Sequence, residues 1–173
     1  DDALSRGLGD VYKRQTETTL PEGSTKEDFD KDSVLSRFDH QLKSSGITTH
    51  HTLNPDFSWS PSDISQIKNF YQLEKYIVLF PFCSPHLTSK KWPYYNDLIS
   101  MINERLENKF KVVIAPGPGE IKDASSINAL CVLDNGKALD ISQLAALIKG
   151  SSFVVANDTG PAHMTAHLGS KGI

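Results

Sequence analysis

Asn157-Asp158-Thr159-Gly160-Pro161-Ala162-His163 is the run best suited to holding an anion in this chain of 173 residues. Gly160 lets the backbone come close to a ligand, and Pro161 fixes a helix start where no donor is needed. The backbone N–H groups of that first turn are expected to point outward, with the positive end of the helix dipole behind them. Charge-assisted hydrogen bonds from such donors contribute about 1.5–3 kcal/mol each. The dipole adds only about 0.3–2 kcal/mol, so the donors decide the affinity. Thr159 adds a hydroxyl donor and His163 an imidazole donor. Asp158 is repelled by phosphate and suits the orientation of backbone or sugar hydroxyls instead. Taken alone, the same turn reads equally as a capped helix, with Asp158 or Thr159 at its N-cap and no ligand.

Two other loops carry matching chemistry. Residues 81–92 hold the hydroxyls of Ser84 and Thr88 and, at Lys90, a point charge suited to phosphate. A solvated pair, Lys90-Lys91, beside a core Trp92 accounts for the same residues without a ligand. Pro116-Gly117-Pro118-Gly119-Glu120 permits close approach, and Glu120 can accept hydrogen bonds from sugar or ribose hydroxyls. It lacks the Gly-x-Gly-x-x-Gly spacing of a dinucleotide turn, and alone it is a proline-rich turn with a surface glutamate.

Other chemistries find little support. His163 and His167 stand four apart, but Met164, Thr165 and Ala166 between them leave out the glutamate of a zinc protease. The acidic run at residues 27–32 reads as a solvated loop. No Gly-x-Ser-x-Gly elbow is present. No metal and no cofactor are expected. Cys83 and Cys131 fit no metal or redox spacing and read as reduced thiols of a cytoplasmic protein.

The elements that must position these loops follow from periodicity. Composition is that of an ordinary globular protein, 38% hydrophobic and 23% charged, and a net charge of −3 gives no footprint for nucleic acid. No apolar run approaches the roughly 20 residues needed to span a bilayer, and no secretory signal opens the chain. Residues 1–15 show neither helical period nor strand alternation and read as a non-native artefact. Residues 16–75 are read as the end of a preceding domain and a linker. Within them, 16–30 is expected as loop and 32–43 as a helix stopped by Gly46. A short helix or turn is expected around Ile64, Ile67 and Phe70-Tyr71.

Residues 76–173 are read as one Rossmann-like domain, incomplete at its C-terminus. Apolar strands are expected at 76–80, 110–115 and 153–156, with a weaker one around 131–133. Helices are expected from Pro93, where Tyr95, Leu98, Ile99, Ile102 and Leu106 form one stripe, and over 121–130. A third opens on the capping box Asp140-Ile141-Ser142-Gln143 and closes at Gly150, and a fourth spans 161–168. Strands without polar alternation, separated by amphipathic helices, predict an α/β fold: a parallel sheet with helices on both faces. Its ligands belong beyond the carboxyl ends of the strands, where all three loops emerge.

The ordered set of motifs resembles the C-terminal, donor-binding half of family-nine glycosyltransferases, the lipopolysaccharide heptosyltransferases. The matching stretches are Val78-Leu79-Phe80-Pro81, Ser84-Pro85-His86, Lys90-Lys91-Trp92-Pro93, Gly117-Pro118-Gly119-Glu120, the helix of residues 140–150, and Val155-Ala156 running into the Asn157–His163 turn. The resemblance covers residue 76 to the end, and more weakly 32–46 and Pro55-Asp56-Phe57-Ser58-Trp59. It implies a GT-B fold, two Rossmann-like domains facing a cleft, and transfer of a heptose from its ADP derivative to lipopolysaccharide or a related glycan without an essential metal. Donor contacts fall on Ser84, Lys90, Glu120, Asp158, Thr159, Gly160 and His163. Lys90 would stabilise the phosphate leaving group electrostatically. The family's glycine-rich phrase after its first strand reads Pro81-Phe82-Cys83 here, a departure that bears on backbone approach at that point. The acceptor domain and general base precede the region of resemblance, so the chain is expected to be a fragment inactive alone. The implied location is cytoplasmic, with peripheral association at the inner face of the bacterial inner membrane. Another GT-B enzyme such as a nucleotide-sugar epimerase, and a non-catalytic nucleotide-binding module, are the alternatives.

Overall fold

Strand β1 (Tyr76–Phe80) is buried along its whole length and has a parallel neighbour on each side. In the computed structural model, Val78 lies opposite Val113 of β2 (Lys111–Ile114) and opposite Val154 of β4 (Phe153–Ala156). The short β3 (Leu130–Cys131) pairs with the far side of β2, giving the order β3-β2-β1-β4, all parallel. The chain therefore steps outward from β1 through β2 to β3 and then crosses back to the other side of β1. That reversal puts a switch point between the carboxyl ends of β1 and β4, the place where open α/β sheets bind ligands.

The structure describes residues 19–54, 56–84 and 86–173. Residues 1–15, read above as foreign, lie outside them, as do Pro55 and Pro85. The described residues fall into two units, one ending before Pro55 and the other beginning at Asp56.

The first unit contains α1 (Lys26–Lys31) and α2 (Val34–Ser44). Helix α1 corrects the expectation of loop over 16–30. Thr25 caps it by accepting from the Asp28 amide, and Phe29 is its one buried residue. A six-residue helix with a single apolar anchor has no period to detect. Helix α2 ends as expected: Gly46 adopts φ +77° and Ile47 N–H reaches back to Leu42 O at 3.0 Å.

In the second unit both faces of the sheet are covered. On one side α3 (Ser65–Tyr71), α5 (Ile141–Lys149) and the end of α6 (Gly160–His167) pack Ile67, Leu147, Ile148 and Leu168 against Val78, Val113 and Val154. On the other, Tyr95 and Ile99 of α4 (Tyr95–Arg105) pack against Ile77, Leu79 and Ile114. The capping box of α5 forms as read, Asp140 with Gln143. The buried Tyr76 hydroxyl, at the start of β1, donates to Leu147 O at 2.9 Å and fixes α5 against the sheet.

Besides small shifts at other element ends, three elements differ from expectation. Pro93 precedes α4 by two residues, because Tyr94 supplies the carbonyl that closes the first turn, to Leu98 N–H at 3.0 Å. The helix expected over 121–130 contracts to a 3-10 turn, Asp123–Ser126. Beyond it, Asn96 of α4 accepts from Asn128 N–H at 2.8 Å and draws the chain out of helical geometry. Strand β3 begins one residue early and stops after two, its pairing carried on by Val132 N–H to Ile114 O.

Candidate functional site

The loops leaving β1 and β4 are tied together by one buried side chain. Asn157, directly after β4, is 6% exposed. Its Oδ1 accepts from the Trp92 amide at 3.3 Å and faces the Tyr95 hydroxyl at 3.2 Å, and its Nδ2 donates to Phe82 O at 3.4 Å. Its own N–H continues the ladder to Phe80 O at 3.3 Å. Tyr95 shares its hydroxyl proton between Asn157 and Phe80 O, also 3.2 Å away. Burial pushes the Tyr95 hydroxyl up to about 12, so it stays a neutral donor.

On the solvent side of that tie stand the charged residues. The 3-10 turn Thr88–Lys90 carries Lys90, whose Nζ lies 2.5 Å from Asp158 Oδ2. His163 Nε2, one turn into α6, is 3.8 Å from the other Asp158 oxygen. The Lys90 ammonium, by hydrogen bond first and by charge second, holds the Asp158 carboxyl below the usual carboxylate range. Asp158 and His163 side chains are 68% and 72% exposed, so these groups can reach a ligand in solvent.

The donors of α6 differ from expectation. Thr159 occupies the N-cap position, but its side chain caps nothing and instead donates to Asn157 O at 3.2 Å. The Ala162 N–H closes on Thr159 O at 3.0 Å, and Pro161 has no N–H. Gly160 keeps a first-turn amide with no acceptor among the described residues, and a Cβ there would meet nothing within 4 Å. The turn thus offers fewer backbone donors than its sequence implies, and the Lys90 ammonium and the His163 imidazole carry more of any anion affinity. Asp158 is also placed otherwise than expected, as the partner of Lys90 rather than of backbone.

The loop after β2 is built differently. Glu120 accepts from Gly117 N–H at 2.7 Å and closes its own turn. A cavity of about 220 Å³ opens beside it, with Phe82, Cys83, Ser84, Gly117, Glu120 and Thr159 among its walls. The structure therefore brings the predicted residues together in two neighbouring groups, Lys90, Asp158 and His163 in one and Ser84, Glu120 and Thr159 in the other. A larger cavity, about 830 Å³, lies on the other side of the tie: Ile77, Leu98, Ile102, Phe153 and Val155 give it apolar walls, Trp92, Tyr95 and Asn157 also line it, and none of the predicted donor residues does. Among the described residues no three His, Cys, Asp or Glu side chains group to hold a metal ion, and His167 packs on Phe57 at 5.1 Å. No helix among them is long and apolar enough to cross a membrane.

Asn157 and Tyr95 were not singled out from sequence. Their partners lie 62–75 residues away, and the one available signal is an amide side chain directly after an apolar strand.

Among solved structures the chain is similar to a family 9 glycosyl transferase from Veillonella parvula, with a TM-score of 0.58 and 16% identity over 79% of this chain and 41% of that one. It is also similar to the Escherichia coli heptosyltransferase WaaC with ADP, at TM-score 0.52 and 21% identity over 82% of this chain and 44% of that one. WaaC with ADP-2-deoxy-2-fluoro heptose aligns at 0.50 and 20% identity, over 82% and 44%. These likenesses share the fold, and the chain spans less than half the length of each structure. Comparison with curated proteins gives no match. The family model for glycosyltransferase family 9 (heptosyltransferase) matches residues 25–173, and the chain belongs to that family.

Proposed function

We propose that this chain holds the donor of a glycosyl transfer, a nucleoside-diphosphate sugar of the ADP-heptose class, by its diphosphate. The observation that carries the reading is the meeting of Lys90 with the Asp158–His163 turn at the strand-order switch point, Nζ to Oδ2 at 2.5 Å. In transfer, an acceptor hydroxyl forms the new bond to the sugar's anomeric carbon as the bond to the diphosphate oxygen breaks. The electron pair leaves on the diphosphate, and its charge grows where Lys90 and His163 stand. A preformed cation there stabilises the transition state more than the ground state. Glu120 and Ser84, on the wall of the adjoining cavity, are assigned to the hydroxyls of the donor, and Thr159 and Gly160 to the phosphate edge. We assign no residue of this chain the abstraction of the acceptor proton.

The reading extends to lipopolysaccharide or a related glycan as acceptor, at the inner face of the bacterial inner membrane. Support for it comes from family membership and from the ADP and ADP-heptose analogue named for WaaC.

The test is titration of the 173-residue chain with ADP, followed by amide hydrogen exchange. Protection is expected at Gly160 and His163, with competition by inorganic pyrophosphate. Unchanged exchange at millimolar ADP would remove the diphosphate assignment. Transfer of heptose from ADP-heptose to a glycolipid by the longer protein tests the activity itself.

A further inference from the structure

We infer that Asn157 is a positioning residue for Lys90: it sets where the lysine-bearing loop stands over the α6 turn. The inference rests on the donor reading above and deepens it. Lys90 lies on a loop that leaves β1 at Phe80 and rejoins regular structure at Tyr95. Asn157 grips that loop at both ends, Phe82 O at its start and the Trp92 amide at its finish. The same residue accepts Thr159 Oγ1 on its carbonyl, so its backbone also fixes the start of α6. The two halves of the anion site, Lys90 on one loop and Asp158 on the other, are thereby referenced to a single residue, one by its side chain and the other by its backbone.

The chemistry requires an amide. The Trp92 N–H needs an acceptor and the Phe82 carbonyl needs a donor, and one buried group supplies both. An apolar side chain of the same branching leaves the buried Phe82 carbonyl and the part-buried Trp92 N–H without this partner, which the loop relieves by moving out to water. Lys90, two residues from Trp92, moves with it.

The test uses the 173-residue chain and two variants. Asn157→Leu keeps the number and branching of side-chain heavy atoms and removes the three side-chain bonds. Tyr76→Phe deletes a buried bond at the opposite end of β1 and controls for lost stability alone. ADP affinity is measured by calorimetry where circular dichroism shows each chain folded. The expected result is a roughly tenfold loss for Asn157→Leu and little change for Tyr76→Phe. Lys90→Ala should then cost much less affinity in the Asn157→Leu background than in wild type, because its contact is already lost. Without nucleotide, the Asp158 carboxyl followed by NMR should titrate closer to an ordinary aspartate in Asn157→Leu.

Wild-type affinity in folded Asn157→Leu, full additivity with Lys90→Ala, or an unmoved Asp158 titration would each overturn the inference. If wild type itself ignores ADP, the donor reading fails while the Asp158 titration still decides the role of Asn157. Should Asn157→Leu not fold, Asn157→Asp serves: its protonated acid repeats the amide's one-donor, one-acceptor pattern. Relative to wild type at each pH, Asn157→Asp should hold Lys90 in acid and release it once ionised. Retention at every pH would count against the inference.

Discussion

The loops after β1 and β4 and the loop after β2 leave the same edge of the same sheet, yet they are held in opposite ways. The first two brace each other, through Asn157 inside and Lys90 with Asp158 outside. The third closes on itself, Glu120 to Gly117. A cross-braced pair transmits a change in one loop to the other, whereas a self-closed turn confines it. In the proposed donor site, charge stabilisation falls on the coupled pair and hydroxyl recognition partly on the independent turn.

The largest effect should come from removing what both regions stand on. Leu79 is fully buried in β1, and Leu79→Ala should cost about 2.7–5 kcal/mol of stability. Denaturant unfolding measures it, and hydrogen exchange should rise in residues 81–92 and 157–163 together. A rise in one loop without the other breaks the idea of mutual bracing.

Lys90→Ala comes next. It should weaken ADP binding by about 1.5–3 kcal/mol with the melting temperature nearly unchanged, since Lys90 is exposed. Calorimetry and a thermal melt separate the two. A large stability loss with intact binding would make the lysine a strut rather than a ligand group.

Glu120→Ala sharpens the contrast from the other side. Affinity should fall by about 1 kcal/mol, with faster exchange at Gly117 and none at Trp92. Faster exchange at Trp92 would show that the β2 loop is coupled to the other two after all.

The smallest effect is electrostatic. The folded-state pKa of Asp158 lies below its unfolded value. The pair with Lys90 therefore contributes above the unfolded value and is lost as pH falls through the depressed one. Asp158 followed by NMR should stay ionised below the usual carboxylate range in wild type and return to it in Lys90→Ala. An Asp158 titration indifferent to Lys90 would remove the outer brace.

Much of the sheet and the helices under the candidate site could be read from sequence, for definite reasons. Parallel strands read as continuous apolar runs, so the buried β1 and also β4, of which only Val154 is buried, stand out with their ends. Asp140 and Gln143 announce α5 because capping needs only local spacing. Local rules failed where distant partners decide. The segment after β2 is held by Asn96 rather than by its own helical preference. Thr159 turns from α6 toward Asn157 O, and Lys90 finds Asp158 across 68 residues of chain. Asn157 is the sharpest case, since beyond its place directly after an apolar strand only partners 62–75 residues away show that it faces inward.

Strand β1 is pinned at both extremities. The Tyr76 hydroxyl holds its entrance to Leu147 O, and at its exit the Phe80 carbonyl takes the Asn157 N–H and the Tyr95 hydroxyl. A beam fixed at both ends cannot slide along its length, so it serves as a datum for everything mounted on it. Whatever motion admits or releases a ligand must then be a swing of the rim about Phe80 and Asn157, over a floor that stays still.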